Sequence, residues 1–185
     1  IDDRAALVVI DLQNGIMGIP GAPHSTTDVV AKAVELADAF HAHDLPVVLV
    51  RATGGAPGRT ETPGGLGGQP PEGWDVIVDD LAGHPDDIVV TKRTWGAFHD
   101  TDLDAQLRRR NVIQIVLVGI STSAGVESTA RAAHEHGYHV TLAVDAMTDR
   151  DIDVHNHSVK QIFPRLGETG TTAEITELLA KTRTL

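Results

Sequence analysis

The chain has 185 residues, no cysteine and a formal net charge of −11 at neutral pH. This length is typical of one domain with its own core, and the absence of cysteine excludes a thiol nucleophile, an iron–sulfur cluster and a cysteine-based zinc site. The 26 acidic residues outnumber the 15 basic ones and repel phosphate backbones and anionic lipid, so we expect no nucleic acid and no membrane as partners. We see no secretion signal at the amino terminus and expect a cytoplasmic protein.

Short apolar runs alternate with amphipathic segments along the chain. Five runs have the length of strands, at 5–10, 46–51, 87–92, 112–120 and 139–145. Five segments are predicted to be helices, at 26–44, 101–110, 123–136, 151–163 and 171–182. The first run is apolar throughout, which is typical of a parallel strand covered on both faces. The order predicts an α/β fold in one domain over 1–185, a three-layer α/β/α sandwich with a mostly parallel, Rossmann-like sheet.

One stretch interrupts this alternation. Gly and Pro fill 12 of the 20 positions from 54 to 73, which excludes a regular helix or strand there. Two interpretations stay open for this Gly/Pro-rich loop. It is either a mobile surface loop, or a lid or subunit-contact loop, because long loops in compact domains tend to be functional.

Charged or small residues follow three of the predicted strands. Asp11 closes the first strand, Lys92 closes the third, and a small-residue turn at 119–125 follows the fourth. Because ligands bind beyond the carboxyl ends of parallel strands, we expect these groups to face one crevice. The amides of the turn, at the start of a predicted helix, suit a developing negative charge. Alternatively, the small residues only let the helix and the strand pack closely.

Other motifs do not fit. Glycine-rich motifs for dinucleotides or nucleotide phosphates are absent, and Ser121 and Ser123 each match only half of the G-x-S-x-G elbow of serine hydrolases. Histidines two residues apart point to different faces of a helix, which argues against metal binding by the histidines of the carboxyl-terminal half. These are His134, His136, His139, His155 and His157. We therefore predict no metal and no cofactor.

Three blocks of the sequence resemble one family. They are DLQN at 11–14, VTKRTWGAF at 90–98 and GISTSAGVESTARAAHEHGY at 119–138. In this order they resemble the isochorismatase-like hydrolases, also known as the cysteine hydrolase family, which include isochorismatases, nicotinamidases and N-carbamoylsarcosine amidases. The resemblance implies the isochorismatase-like fold, a small-molecule substrate and a homo-oligomer.

The resemblance also implies roles for individual residues. The family's Asp, Lys and Cys triad falls on Asp11, Lys92 and Gly125, so the nucleophilic Cys is missing. A cis peptide bond is implied between Ile120 and Ser121, with the N–H groups of Ser121 and Gly125 as oxyanion donors. The residues that would shape the substrate pocket are Gln13, Arg93, Trp95, Phe98 and Ser123. The metal motif that nicotinamidases carry after the second strand is replaced here by RATG at 51–54, which argues against a nicotinamidase.

Gly125 closes the route through a thiol, and true isochorismatases resemble the chain in lacking that Cys. The leading hypothesis is therefore thiol-independent hydrolysis of a small anionic molecule, best exemplified by cleavage of the vinyl ether isochorismate with Asp11 as general acid. Lys92 would bind a substrate carboxylate or position the proton. Two alternatives stay open: an amide or ester hydrolase that uses water or Ser121/Ser123, and a non-catalytic homologue that binds a small molecule or serves assembly.

Overall fold

A computed structural model of the chain describes residues 1–62 and 70–182. Its sheet has six strands: β1 (Ala5–Ile10), β2 (Val47–Ala52), β3 (Ile88–Lys92), β4 (Gln114–Ile120), β5 (His139–Thr148) and β6 (Glu168–Gly170). Neighbouring strands are all parallel, in the order β3-β2-β1-β4-β5-β6. The α-helices are α1 (Thr26–His41), α2 (Leu103–Arg109), α3 (Glu127–Glu135), α4 (Ile152–His157) and α5 (Thr172–Thr182).

Two clusters of buried apolar side chains lie on the two faces of the sheet. Alternate residues of a strand point to opposite faces. Leu7 and Val9 of β1 accordingly belong to the cluster that contains α1 and α5, whereas Val8 and Ile10 belong to the cluster that contains α2 and α3. All six residues of β1 are buried. The predicted three-layer α/β/α architecture is confirmed.

Several predicted boundaries are wrong near turns. The helix predicted over 26–44 ends at His41, and Asp44 turns the chain with a φ of 54°. The helix predicted over 123–136 begins with a wide π turn, Thr122–Val126, before α3. The helix predicted over 151–163 stops at His157 and continues as a π turn and a 3-10 turn that contains Pro164.

The carboxyl-terminal part of the sheet is more extensive than predicted. β5 runs to Thr148, three residues beyond the predicted end at 145, and its pairing with β4 shifts register between Leu117 and Gly119. β6 was missed because its three residues, Glu-Thr-Gly, contain no apolar run.

The predicted loop at 54–73 is described only in part, because residues 63–69 lie outside the described residues. Residues 54–62 and 70–73 contain no helix or strand, as expected. A role as a lid or an interface stays a prediction. None of the described helices combines the length and the apolar character needed to cross a bilayer.

Candidate active site

Asp11 lies directly after β1, in the middle of the sheet. Its φ of 55° is a left-handed conformation, which Asp adopts more readily than most residues. The backbone N–H of Asp11 donates to the carbonyl of Val50 at 2.9 Å and so fixes this turn to β2. The carboxylate is buried, and its Oδ1 atom is the one buried side-chain polar atom of residues 1–62 and 70–182 that has no hydrogen-bond partner. This oxygen therefore has hydrogen-bonding capacity that no other described group uses.

Lys92 is the last residue of β3, and its side chain reaches across β2 to the carboxylate of Asp11. Its Nζ donates to Asp11 Oδ2 at 2.7 Å and to the carbonyl of Thr94 at 3.0 Å, and the residue is only 2% exposed. Burial raises the pKa of Asp11 to about 6, although the charge and the hydrogen bond of Lys92 oppose this rise. The carboxyl group of Asp11 thus changes its protonation state in the range where general acids and bases operate.

The turn after β4 brings Gly125 against this carboxyl group. The peptide bond between Ile120 and Ser121 is cis, and the π turn that follows contains Gly125. A Cβ atom at Gly125 would lie 3.4 Å from Asp11 Oδ2 and 3.5 Å from the carbonyl oxygen of Trp95. Asp11, Lys92 and Gly125 therefore converge at the carboxyl ends of the strands. A methyl group of Ile10, 2.9 Å from the same Cβ position, leaves little room for a side chain at Gly125.

A buried carboxylate supports the turn from β5. Asp149 Oδ2 accepts hydrogen bonds from the N–H of Ser123 at 2.8 Å and from its hydroxyl at 2.7 Å, and Asp149 Oδ1 accepts from the N–H of Arg150. The hydroxyl of Ser123, a pocket residue in the sequence analysis, is thus engaged with Asp149. Asp149 was not among the predicted site residues, because the predicted end of β5 at 145 left it four positions beyond the strand end.

His155 supports the same turn at its first residue. Its Nδ1 lies 2.8 Å from the buried hydroxyl of Thr122. Burial, and secondarily the neighbouring His24, lower the pKa of His155, while Asp149 opposes the change. His155 is therefore neutral near pH 7 and acts as a hydrogen-bond partner.

Replacement of Asp149 by Asn is expected to loosen the turn. The amide NH₂ group would face donors at Ser123 or at Arg150, so at least one hydrogen bond is lost. Because small displacements near reacting groups are costly, we expect kcat to fall about tenfold to a hundredfold. Steady-state kinetics with Asp145→Asn as the control test this, since Asp145 caps the start of α5 at Thr172 instead. Equal losses in both variants would contradict a specific role of Asp149.

Arg93, Trp95 and Phe98, the predicted pocket residues of the second sequence block, lie at different distances from Gly125. Trp95 is 64% exposed with its carbonyl near Gly125, and Arg93 is also exposed. Phe98 lies away from Gly125, and its role in shaping the pocket stays a prediction. Its ring stacks on His136, with ring centroids 5.0 Å apart, beyond the far end of α3. That end is roughly 15 Å along the helix from Gly125.

Gln13 is fully buried and joins two strand ends. Its Oε1 accepts from the N–H of Ala52 at 2.8 Å, and its Nε2 donates to the carbonyl oxygens of Ala52 at 2.9 Å and of Trp74 at 3.3 Å. The amide group is therefore engaged with the backbone. Gln13 holds the chain after β1 against β2 and so contributes to the position of Asp11.

The arrangement of strands and turns matches a known family. Residues 5–174 match the family model described as the isochorismatase domain. The chain belongs to the isochorismatase family. The resemblance inferred from the three sequence blocks is confirmed, and so is the isochorismatase-like fold.

Three relatives illustrate the similarity. The chain is 42% identical to the isochorismatase family protein YecD of Escherichia coli O157:H7, over 94% of this chain and 95% of YecD. It is 31% identical to the ureidoacrylate amidohydrolase RutB of Stutzerimonas stutzeri, over 77% of this chain and 69% of RutB. A solved isochorismatase family protein from Burkholderia thailandensis is 44% identical, covers 97% of each chain and superimposes with a TM-score of 0.93. The chain is a hydrolase of the isochorismatase family.

Proposed function

We propose that this isochorismatase family member hydrolyses a small anionic molecule without a covalent thiol step, and that its substrate is a vinyl ether such as isochorismate. The carboxyl group of Asp11 carries the proposal. Burial raises its pKa to about 6, and its Oδ1 has no partner within the described protein. Such a group holds a proton in part of the molecules near neutral pH and can deliver it to a substrate.

Hydrolysis of a vinyl ether needs a proton on carbon and then water. Asp11 donates its proton to the terminal methylene carbon, which leaves an oxocarbenium ion at the carbon that bears the ether oxygen. Water adds to that carbon, and the proton that the water loses returns to Asp11. The bond between the hemiketal carbon and the ether oxygen then breaks. The hemiketal hydroxyl loses its proton and becomes the keto group of pyruvate, and the ether oxygen takes up a proton and becomes the ring alcohol. No step requires a side chain at Gly125.

Lys92 and the turn after β4 orient the reacting groups. The ammonium of Lys92 holds Asp11 Oδ2 at 2.7 Å, which leaves Oδ1, the oxygen without a partner, to carry the proton. Its positive charge also attracts an anionic substrate. The N–H groups of Ser121 and Gly125 belong to the turn that leads into α3, where the positive end of the helix dipole favours a substrate carboxylate.

The direct test is the release of pyruvate from isochorismate by the purified protein, followed with lactate dehydrogenase and NADH. Release at a rate proportional to protein concentration is the expected result. The absence of pyruvate under saturating isochorismate would exclude this substrate.

Amide hydrolysis is the second candidate, favoured by the 31% identity to a ureidoacrylate amidohydrolase. In this reaction ionised Asp11 removes a proton from water or from the hydroxyl of Ser121, and the oxygen attacks the carbonyl carbon. The C–N bond then breaks, and the proton held by Asp11 passes to the leaving nitrogen. On the serine route, water hydrolyses the acyl ester on Ser121 in a second step. Ser123 is the weaker nucleophile because its hydroxyl donates to Asp149. Ureidoacrylate hydrolysis that is lost in Ser121→Ala would support a serine route, whereas hydrolysis retained in both Ser121→Ala and Ser123→Ala would support water. A non-catalytic homologue would turn over neither substrate.

The pH dependence of kcat/KM is expected to distinguish the two reactions. As a general acid, Asp11 acts in its protonated form, so activity is level below a pH of about 6 and falls about tenfold per pH unit above it. As a general base, Asp11 acts in its ionised form, so activity rises up to about pH 6 and then levels. Initial rates between about pH 5 and pH 8 measure this. A profile without a transition near pH 6 would contradict both roles of Asp11.

A further inference from the structure

Two histidines and an aspartate meet at the opposite end of the sheet. His41 ends α1, and His84 and Asp87 lie in the turn directly before β3. His41 Nε2 lies 2.7 Å from Asp87 Oδ1, and His84 Nδ1 lies 3.7 Å from the same oxygen. The three potential ligand atoms lie within 4.8 Å of one another, and residues 1–62 and 70–182 contain no other such group of three or more His, Asp or Glu residues.

The cluster lines a groove that is separate from the candidate active site. The groove has a volume of about 740 Å³ and is bordered by Ala5 and Val47, the first residues of β1 and β2. Asp11 follows the other end of β1, and the six residues of that strand separate the two sites by roughly 20 Å. A group bound in the groove therefore does not contact the reacting atoms at Asp11.

We propose that His41, His84 and Asp87 bind a divalent first-row transition cation such as Zn²⁺. Two imidazole nitrogens and one carboxylate oxygen are a donor set that suits Zn²⁺, Co²⁺ or Ni²⁺, whereas Ca²⁺ and Mg²⁺ prefer oxygen ligands alone. Three protein ligands leave a fourth position for water from the groove.

The burial of the three side chains fits this assignment. The side chain of Asp87 is 6% exposed and that of His41 19% exposed, so both form the floor of the groove, whereas that of His84 is 39% exposed and lies at its edge. A carboxylate in such a position is poorly hydrated, and a bound cation stabilises its negative charge. The carboxylates of Asp44 and Asp86 also line the groove, although Arg4 and Arg110 offset part of their charge.

Binding requires one movement of a side chain. The rings of His41 and His84 are stacked, with centroids 3.7 Å apart and planes 8° apart. Because a metal ion lies close to the plane of each imidazole that binds it, the two rings must tilt apart. His84 is the ring that turns, since it is exposed. The hydrogen bond between His41 Nε2 and Asp87 Oδ1 is replaced by a bond from each atom to the cation, and the proton shared between them is released to solvent. The bound cation then connects the end of α1 to the start of β3.

Titration with Zn²⁺ after treatment with a chelator tests the proposal. Isothermal calorimetry is expected to show one cation per chain, and the exposed-ligand variant His84→Gln is expected to bind at least about tenfold more weakly. The control is His43→Gln, two residues from His41 but outside the cluster, and its affinity is expected to stay within about twofold of the original. Zn²⁺ is also expected to raise the Tm of the unchanged protein but not that of His84→Gln, because a ligand stabilises the state that binds it.

Co²⁺ provides a second measurement that reports on the ligands themselves. We expect intense visible absorption of four-coordinate Co²⁺ in the unchanged protein and its loss in Asp87→Asn, a variant of nearly the same shape. Circular dichroism of His84→Gln and of Asp87→Asn without metal is used to check that each variant is folded. Equal Zn²⁺ affinity in His84→Gln and the unchanged protein would overturn the proposal, and so would a Co²⁺ spectrum typical of six water ligands. Either result would leave the cluster as a purely structural link between α1 and β3.

Discussion

Replacement of Asp11 by Asn is expected to lower kcat for substrate hydrolysis by about 10²- to 10⁴-fold, the usual contribution of a positioned general acid or base. Asn keeps the size of the side chain and retains an oxygen that can accept from Lys92. It cannot, however, transfer a proton between pH 5 and pH 8 as a carboxyl group can. The loss should therefore appear in kcat more than in KM, because the pocket is unchanged in shape.

The matched control for this experiment is Asp100→Asn. Asp100 has a φ of 51°, close to the 55° of Asp11, and it is exposed, so the same change of atoms is made at a similar backbone conformation away from the site. Thermal unfolding of Asp11→Asn is measured in parallel, because the substitution leaves Lys92 without its buried counterion. Activity above about a tenth of the original in a folded Asp11→Asn protein would contradict a role in proton transfer.

The second large effect is expected at Gly119, near the end of β4. Its φ of 121° is a conformation that residues with a Cβ atom rarely adopt, and a Cβ atom would lie only 2.1 Å from the carbonyl oxygen of Ile10. Gly119→Ala therefore combines backbone strain with displacement of β4 from β1. We expect it to lower the free energy of unfolding by about 3–6 kcal/mol.

Gly137→Ala separates these two causes. Gly137 also has a positive φ, 84°, but a Cβ atom there would meet nothing within 4 Å. This variant is expected to lose only about 1–2 kcal/mol, from the backbone conformation alone. Equilibrium unfolding in urea measures both values. If the two variants lost the same free energy of unfolding, the close approach of β4 to β1 would not be the reason that position 119 requires glycine.

Much of the fold was predictable because the pattern of apolar residues along the sequence agrees with the burial of each strand in the sheet. The run over 5–10 is apolar on both faces since β1 lies in the middle of the sheet with helices on both sides. The polar residues that end such runs, Asp11 and Lys92, stand out for the same reason. Their contact follows from a parallel topology, which places all carboxyl ends at one edge.

Features that depend on contacts distant in sequence could not be predicted in this way. The ring of Phe98 lies within a block of conspicuous residues, but its position depends on His136, at the far end of α3. Asp149 is identified as a support only when β5 is known to end beside the π turn. The histidine cluster was not predicted for the same reason. His41 and His84 are 43 positions apart and meet only through the pairing of β2 with β3.

The sheet order has a consequence for how changes in sequence act on the site. Lys92 approaches Asp11 from one side of β1, across β2, whereas Gly125 approaches it from the other side, after β4. The long segment between Ala52 and Ile88 connects two strands on the Lys92 side only. Changes in that segment therefore act on the Lys92 side of Asp11, where Trp74 and Val76 accept hydrogen bonds from the chain after β1, and they leave the turn that contains Gly125 unchanged.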